Sequence, residues 1–256
     1  LKAFFETIAV AFSMYSALPM PHVEWKERNL RYVMCAFPLV GALLGGLEYG
    51  WFLLARSIDA GVLLYAAVAA ALPVLVTGGI HLDGFCDTVD ALSSHGEREK
   101  KLSILKDPHI GAFGVMGCAL WLLVCFGLYG ELYRHTAGLV ELCFLFLLSR
   151  ILSGLSVVAF RCAKDSGLVH AFQSGAARRN AGAILSALLI LTAAGMLWCS
   201  PLYGAICLLA ALAIFLCYRR MSYRQFGGIT GDLAGWFLQM CELMELAALV
   251  LLNLIV

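Results

Sequence analysis

The sequence is short of charge. Only 14% of its 256 residues are Asp, Glu, Lys or Arg, against roughly 25% in an ordinary soluble domain. That deficit excludes a conventional water-soluble globule. The ten cysteines include no CxxC pair and no Cys/His cluster with zinc spacing, so nothing points to a structural zinc or a dithiol centre. Cys118, Cys125, Cys143, Cys207 and Cys217 sit inside apolar runs and read as small packing residues. No linker, low-complexity tract or strong internal repeat divides the chain, which reads as one integral-membrane domain over residues 1–256. Ala3–Leu18 does not read as a cleavable signal peptide: it has no basic n-region beyond Lys2 and runs into Pro19-Met20-Pro21. A net charge of +1 gives no reason to invoke nucleic acid.

What is present is apolar length. Hydrophobic residues make up 62% of the chain, and runs of about 20 such residues recur, each long enough to cross a bilayer as a helix. Lipid leaves few other ways to satisfy backbone polar groups, so the expected fold is an all-α polytopic membrane protein. Seven transmembrane helices are clear, near Tyr32–Ala55, Gly61–Gly79, Gly111–Glu131, Ala137–Phe160, Ala181–Cys199, Leu202–Tyr218 and Leu233–Ile255. Ala3–Leu18 is a short N-terminal apolar helix, open to reading as an eighth span, a re-entrant segment or an interfacial helix. Fourteen of the 18 basic residues fall in four alternate connections, including Lys26, Arg28, Lys164 and Arg161. Seven spans put those connections on one side, and the positive-inside rule makes that side cytoplasmic. The expected location is therefore the inner membrane of a prokaryote, in contact with lipid. A homo-oligomer is left open.

The stretch "GGIHLDGFCDTVD" breaks this apolar pattern. Asp83, Asp87 and Asp90 stand at i, i+4 and i+7, within an arc of about 60° on a helix. Like charges at that spacing repel by a few tenths of a kcal/mol per pair, and no basic residue lies between Gly78 and His95 to offset them. A hard divalent cation would, and Mg²⁺ takes a few carboxylates while leaving room for phosphate oxygens. The competing reading is a solvated helix end.

The other connections carry compatible chemistry. Ser94 and Glu97 fit a capping box that would start a short helix, with Arg98 and Lys101 on its basic face and Pro108 ending it. Lys106, Asp107 and His109 follow, just before Gly111 and Gly114. Arg161, Lys164, Arg178 and Arg179 surround Gly167 and Gly175, a mixture suited to phosphate and equally explained by cytoplasmic basicity. "GGITGDLAG" places Gly227, Gly228 and Gly231 before the last span, where Asp232 reads either as a helix N-cap or as a further metal ligand. Within the membrane lie Arg150, Glu48, Glu141, Glu242 and Glu245. Such groups usually face the bundle interior. Arg150 and Glu242 each sit about 15 Å from the cytoplasmic end of their spans, so they are expected to pair.

Acids for Mg²⁺, bases for phosphate and a membrane body suggest phosphoryl-type transfer onto an alcohol. CDP-alcohol phosphotransferases begin their motif D-G-x-x-A-R. Asp83-Gly84 starts similarly, but the Ala-Arg is missing and Asp87 and Asp90 come too early. "GGIHLDGFCDTVDALSS" instead resembles the GG-x-HLDG-x-x-DT-x-DG motif of the cobalamin synthase family, the adenosylcobinamide-GDP ribazoletransferases. "ILKDPHIGAFG", "SRILSGLSVVAFRCAKDSGL" and "GGITGDLAGWFLQMCE" are similar to further segments of that family, in order, from about Pro19 to the C-terminus. Ala91, Pro108, His109, Phe85, Cys86 and Ala17 depart from its usual residues, and no aspartate is lost.

The resemblance implies an enzyme. Its substrates would be adenosylcobinamide-GDP and α-ribazole or α-ribazole 5′-phosphate, with GMP leaving and adenosylcobalamin or its 5′-phosphate forming. It implies Mg²⁺ on Asp83, Asp87 and Asp90, with Asp232 as a further ligand. Lys106 and Arg161 would hold phosphate charge, and Arg150, Gly228, Gly231, Gln239 and Glu242 would belong to the substrate site. His81 or Asp107 would take the ribazole hydroxyl proton. A secondary transporter is the non-enzyme alternative, disfavoured because the acids lie at a span end rather than at broken helices of a repeat.

Overall fold

The structure, a computed structural model, describes residues 2–23, 30–163, 172 and 178–256. Its helices are α1 (Lys2–Tyr15), α2 (Val33–Ser57), α3 (Val62–Thr77), α4 (Ile80–Ser93), α5 (Arg98–Ile104), α6 (Ala112–Arg134), α7 (Leu142–Ala159), α8 (Arg178–Cys199), α9 (Pro201–Gln225) and α10 (Gly231–Ile255). A 3₁₀ turn, Leu139–Glu141, leads into α7. Among the described residues the sole β-type pairing is an isolated bridge between Cys162 and Ile229.

Among the described residues, six helical segments are long and apolar enough to cross a membrane. They match six of the seven expected spans. The seventh, Gly61–Gly79, differs. Its helix α3 has 16 residues, about 24 Å, and the chain then turns by 95° into α4. Gly78 and Gly79 make the turn, with φ of +66° and +77°. Two successive residues in that region end a right-handed helix and favour glycine. The pair α3–α4 counts as a seventh crossing only if taken together. We take α3 as its membrane limb and α4 as a helix turned off the end. Helix α1 has 14 residues, about 21 Å, short of a ~30 Å hydrocarbon core. The chain after it is tied to the end of α3 by the Ala17 N–H to Val76 carbonyl bond, 2.8 Å.

The inner helices are α2, α7 and α10. On α2, a Cβ at Gly41 would collide with the Phe146 carbonyl and one at Gly45 with the Cys143 carbonyl. Small residues thus let α2 and α7 approach backbone to backbone, the usual basis of helix association in lipid. Outer helices carry exposed apolar side chains, such as Leu123 on α6, Leu191 on α8 and Leu209 on α9, as lipid contact requires.

The paired charges inside the bundle are Arg150 and Glu242. Arg150 is fully buried. Its guanidinium donates to the Glu242 carboxylate, to the Phe146 carbonyl and to Ser149 Oγ, while Ser149 Oγ itself donates to Glu242 at 2.9 Å. The expected pairing is therefore present. Glu48, Glu141 and Glu245 are buried as well. Among the described residues both carboxylate oxygens of Glu48 and Glu141 are unpartnered, while Glu245 accepts from the Cys241 thiol through Oε2 and leaves Oε1 open.

Candidate active site

Helix α4 lies against α10 at two glycines. A Cβ on Gly84 would stand 2.9 Å from the Asp232 backbone, and one on Gly235 would stand 2.9 Å from the His81 carbonyl. The two helices can touch this closely only without side chains there. The contact carries Asp83 and Asp232, 149 positions apart in the sequence, onto one cavity of about 190 Å³. His81, Gly84, Gly231 and Ser153 also line it, with Met34, Phe37 and Leu238 below. His81 is buried, and its Nε2 has no partner among the described residues.

The three aspartates of α4 are not equivalent. Asp83 is exposed at the cavity. Asp87, one turn on, is half-buried. Its carboxyl is pushed up to about 6, first by burial and then by the charges of Asp83, Asp232, Asp90 and Asp107. Among the described residues only acids appear among the charges acting on it, which agrees with the missing bases nearby in the sequence. Asp90 has another partner. Its two oxygens accept from the backbone N–H groups of Gly111 and Gly114, at 2.7 and 2.8 Å. Gly111 is the N-cap of α6 and supplies no side chain, so Asp90 satisfies those orphan donors from across the loop.

Asp232 is not the N-cap of α10. Thr230 takes that place, its hydroxyl accepting from Leu233 N–H at 3.2 Å. Asp232 follows in the first turn, where the helix dipole favours an anion, and Thr230 Oγ lies 3.3 Å from its Oδ2. The capping box of Ser94 and Glu97 does not form either. Ser94 closes α4, donating to the Ala91 carbonyl and accepting from Gly96 N–H. His95 turns left-handed, and α5 starts only after Glu97, which makes no side-chain cap. Helix α5 also ends at Ile104, before Pro108.

Gly228 is explained by crowding: a Cβ there would lie 2.5 Å from the Arg161 carbonyl oxygen. Arg161 is joined to this loop by its carbonyl to Ile229 N–H, 2.9 Å, and by Nε to the Gly227 carbonyl, 3.1 Å. Its guanidinium lies over Tyr223. Arg161, Gly228, Gly231 and Asp232 thus form one locality. Arg98 belongs there as well, packed where a Gly227 side chain would be.

Lys106 and Asp107 are exposed in the turn after α5. Asp107 accepts from the backbone and ring of His109, at 3.0 and 2.9 Å, and these bonds hold its carboxyl below the usual range. Burial and the Arg150 charge likewise push the His81 imidazole down, to about 3, so position rather than basicity separates the two. Arg150, Glu242 and Gln239 do not line the cavity. The first two are engaged with each other, and Gln239 accepts from Trp121 Nε1 through its backbone. Arg178 donates to the Val158 and Ala159 carbonyls at the end of α7. Lys26, Arg28, Lys164, Gly167 and Gly175 lie outside the described residues. Tyr15, Phe37 and Ser153, all at the cavity, escaped the sequence reading because no motif or charge marks them.

Among the described residues, no three His, Cys, Asp or Glu side chains converge closely enough to hold a metal ion as they stand. The carboxylates form an open array rather than a closed cage. Mg²⁺ is commonly held by one or two carboxylates with waters and substrate phosphates, so the donor chemistry suits it.

The family model for cobalamin-5-phosphate synthase matches residues 7–251. An adenosylcobinamide-GDP ribazoletransferase of Lachnoclostridium phytofermentans is 43% identical over 94% of this chain and 92% of its own length. One from Clostridium perfringens is 32% identical over the full length of both, and one from Desulfitobacterium hafniense is 34% identical over 93% of each. No solved structure matches. These matches favour neither the CDP-alcohol phosphotransferase nor the transporter reading. The chain belongs to the cobalamin-5-phosphate synthase family.

Proposed function

We propose that the chain transfers the adenosylcobinamide phosphate moiety of adenosylcobinamide-GDP to a hydroxyl of α-ribazole or α-ribazole 5′-phosphate. The hydroxyl oxygen forms a bond to the phosphorus next to cobinamide, the diphosphate bridge to GMP breaks, and GMP leaves. One observation carries the reading: the glycine contact of α4 with α10 places Asp83, Asp232 and an unpartnered His81 Nε2 on one cavity.

Asp83, Asp87 and Asp232 would hold Mg²⁺, whose contribution when bound is to neutralise diphosphate charge and favour in-line displacement. Asp90 stays with α6 and positions the acid-bearing helix. Arg161, on the loop that opens α10, and Lys106 hold phosphate charge, as guanidinium and ammonium groups do well. His81 accepts the hydroxyl proton. It lines the cavity with an open nitrogen, whereas Asp107 is outside it and engaged with His109. The basic connections put this face in the cytoplasm.

The test uses purified protein in nanodiscs with adenosylcobinamide-GDP, α-ribazole and Mg²⁺. GMP release that needs all three is the expected result. No GMP from intact protein would overturn the reading. For the side of the membrane, a cysteine placed at exposed His109, in a chain whose native cysteines (exposed Cys199 and Cys217 among them) are replaced, should react with an impermeant thiol reagent only after the cytoplasmic face is opened. Labelling from outside intact cells would reverse the orientation.

A further inference from the structure

The cavity has a floor that the phosphate chemistry leaves unused. Phe37, Val157 and Leu238 are almost completely buried, Met34 and Ser153 nearly so, and all five line it. They come from α2, α7 and α10. Asp83 and Gly231 are exposed and so belong to the mouth. The lining is thus graded from apolar below to anionic above. Along one side run three rings: Tyr15 to Phe37 at 4.3 Å, Phe37 to His81 at 5.7 Å, and Tyr15 nearly parallel to His81 at 6.1 Å.

Such a floor rejects most of the two substrates. A diphosphate would lose its hydration with no described cation in the lining to replace it. A corrinoid does not fit: the ~190 Å³ available is below the roughly 300–1,000 Å³ of pockets for drug-sized ligands. A flat, uncharged bicyclic ring does fit, and aromatic walls suit it. Within the floor the polar groups are few. They are the Ser153 hydroxyl, the open Nε2 of His81 and the Tyr15 phenol along the side, enough for a few hydrogen bonds to a ring nitrogen or a sugar.

Taking the proposed reaction as its premise, we infer that this floor is the acceptor-nucleoside site, seating the benzimidazole-type base of α-ribazole. The ribose then lies between floor and mouth, its hydroxyl within reach of His81 Nε2 and facing Asp83 and Asp232. The corrinoid and its diphosphate approach from outside. Leu238, Met34 and Ala234 become specificity-determining residues for the base, a role the family motif does not mark because they are ordinary core residues in sequence.

The experiment measures KM for each substrate separately. Wild-type turnover with α-ribazole comes first: its absence overturns the proposed reaction, and the base pocket falls with it. Given turnover, Ala234→Leu adds bulk to the cavity wall. It should raise KM for α-ribazole about 10-fold or more and leave KM for adenosylcobinamide-GDP within about twofold. An equal rise in both, or a rise for the corrinoid alone, overturns the pocket and leaves the reaction standing. Should Ala234→Leu fail to fold, Leu238→Ala decides. It enlarges the floor and should shift preference towards a riboside of a tricyclic naphthimidazole. An unchanged base preference overturns the inference.

Discussion

Two places in this molecule gather charge, and they handle it in opposite ways. Inside the bundle, Arg150 and Glu242 neutralise each other and share Ser149. Beside the cavity, among the described residues, Asp87 feels only further acids: Asp83, Asp232, Asp90 and Asp107. The first arrangement is neutral without a ligand, as membrane-interior charges usually are through pairing. The second leaves like charges together, which fits the cation and phosphate of the proposed reaction. On the proposed reaction, internal compensation separates a charge that holds the fold from one that serves catalysis.

The largest effect should come from Asp83→Asn. It removes a charge from the exposed cavity mouth while preserving shape. Turnover with Mg²⁺ should fall on the order of 10³-fold or more, with expression and apparent unfolding temperature near wild type. Normal turnover would remove Asp83 from the metal site. Glu242→Leu should do the reverse. Stranding the Arg150 guanidinium should destabilise the protein by about 3–5 kcal/mol, read as a lowered unfolding midpoint in detergent. Adding Arg150→Met should recover most of that loss. If Asp83→Asn unfolds the protein as readily as Glu242→Leu does, the contrast between the two places disappears.

The parts legible in the sequence were those with a periodic or electrostatic signature. Spans follow from apolar length, and the Arg150–Glu242 pair followed from equal depth in two spans. The bend at Gly78-Gly79 was not legible, because an apolar run hides where its backbone turns. Asp90 shows the same limit. Its i+7 spacing groups it with Asp83 and Asp87, yet its oxygens are taken by Gly111 and Gly114, more than 20 positions away. Thr230 displaced Asp232 as the cap of α10 by only two positions, a choice that local residue preferences leave open. The cavity floor had no signature, since Phe37 or Leu238 in a cavity looks like Phe or Leu in a core.

Asp90 offers a middle case between the two charged places. Asp90→Ala removes both bonds to the start of α6 and should destabilise by about 1–2 kcal/mol, the range for a lost helix cap. The Mg²⁺ concentration for half-maximal turnover should change less than for Asp87→Asn. A larger change would return Asp90 to the metal set. Gly114→Ala gives a second probe, because its Cβ would meet the Asp90 carboxylate.

The smallest expected effect concerns protons. Asp87 on α4, outside the spanning helices, titrates near 6 in the folded chain and near 3.9 when unfolded. The folded state therefore holds this proton more tightly. Its contribution to stability is greatest below the unfolded value and is lost as pH rises through about 6. Half-burial lets solvent screen the neighbouring acids, so the loss should be on the order of 1 kcal/mol or less. Without divalent cation, the apparent unfolding midpoint should decline slightly between pH 5 and pH 7, beyond any trend in Asp87→Asn. Saturating Mg²⁺ should flatten the difference by supplying the missing positive charge. A decline of the same size in Asp87→Asn would place its source elsewhere. A decline that persists in Mg²⁺ would mean that the acids at the cavity do not share the ion.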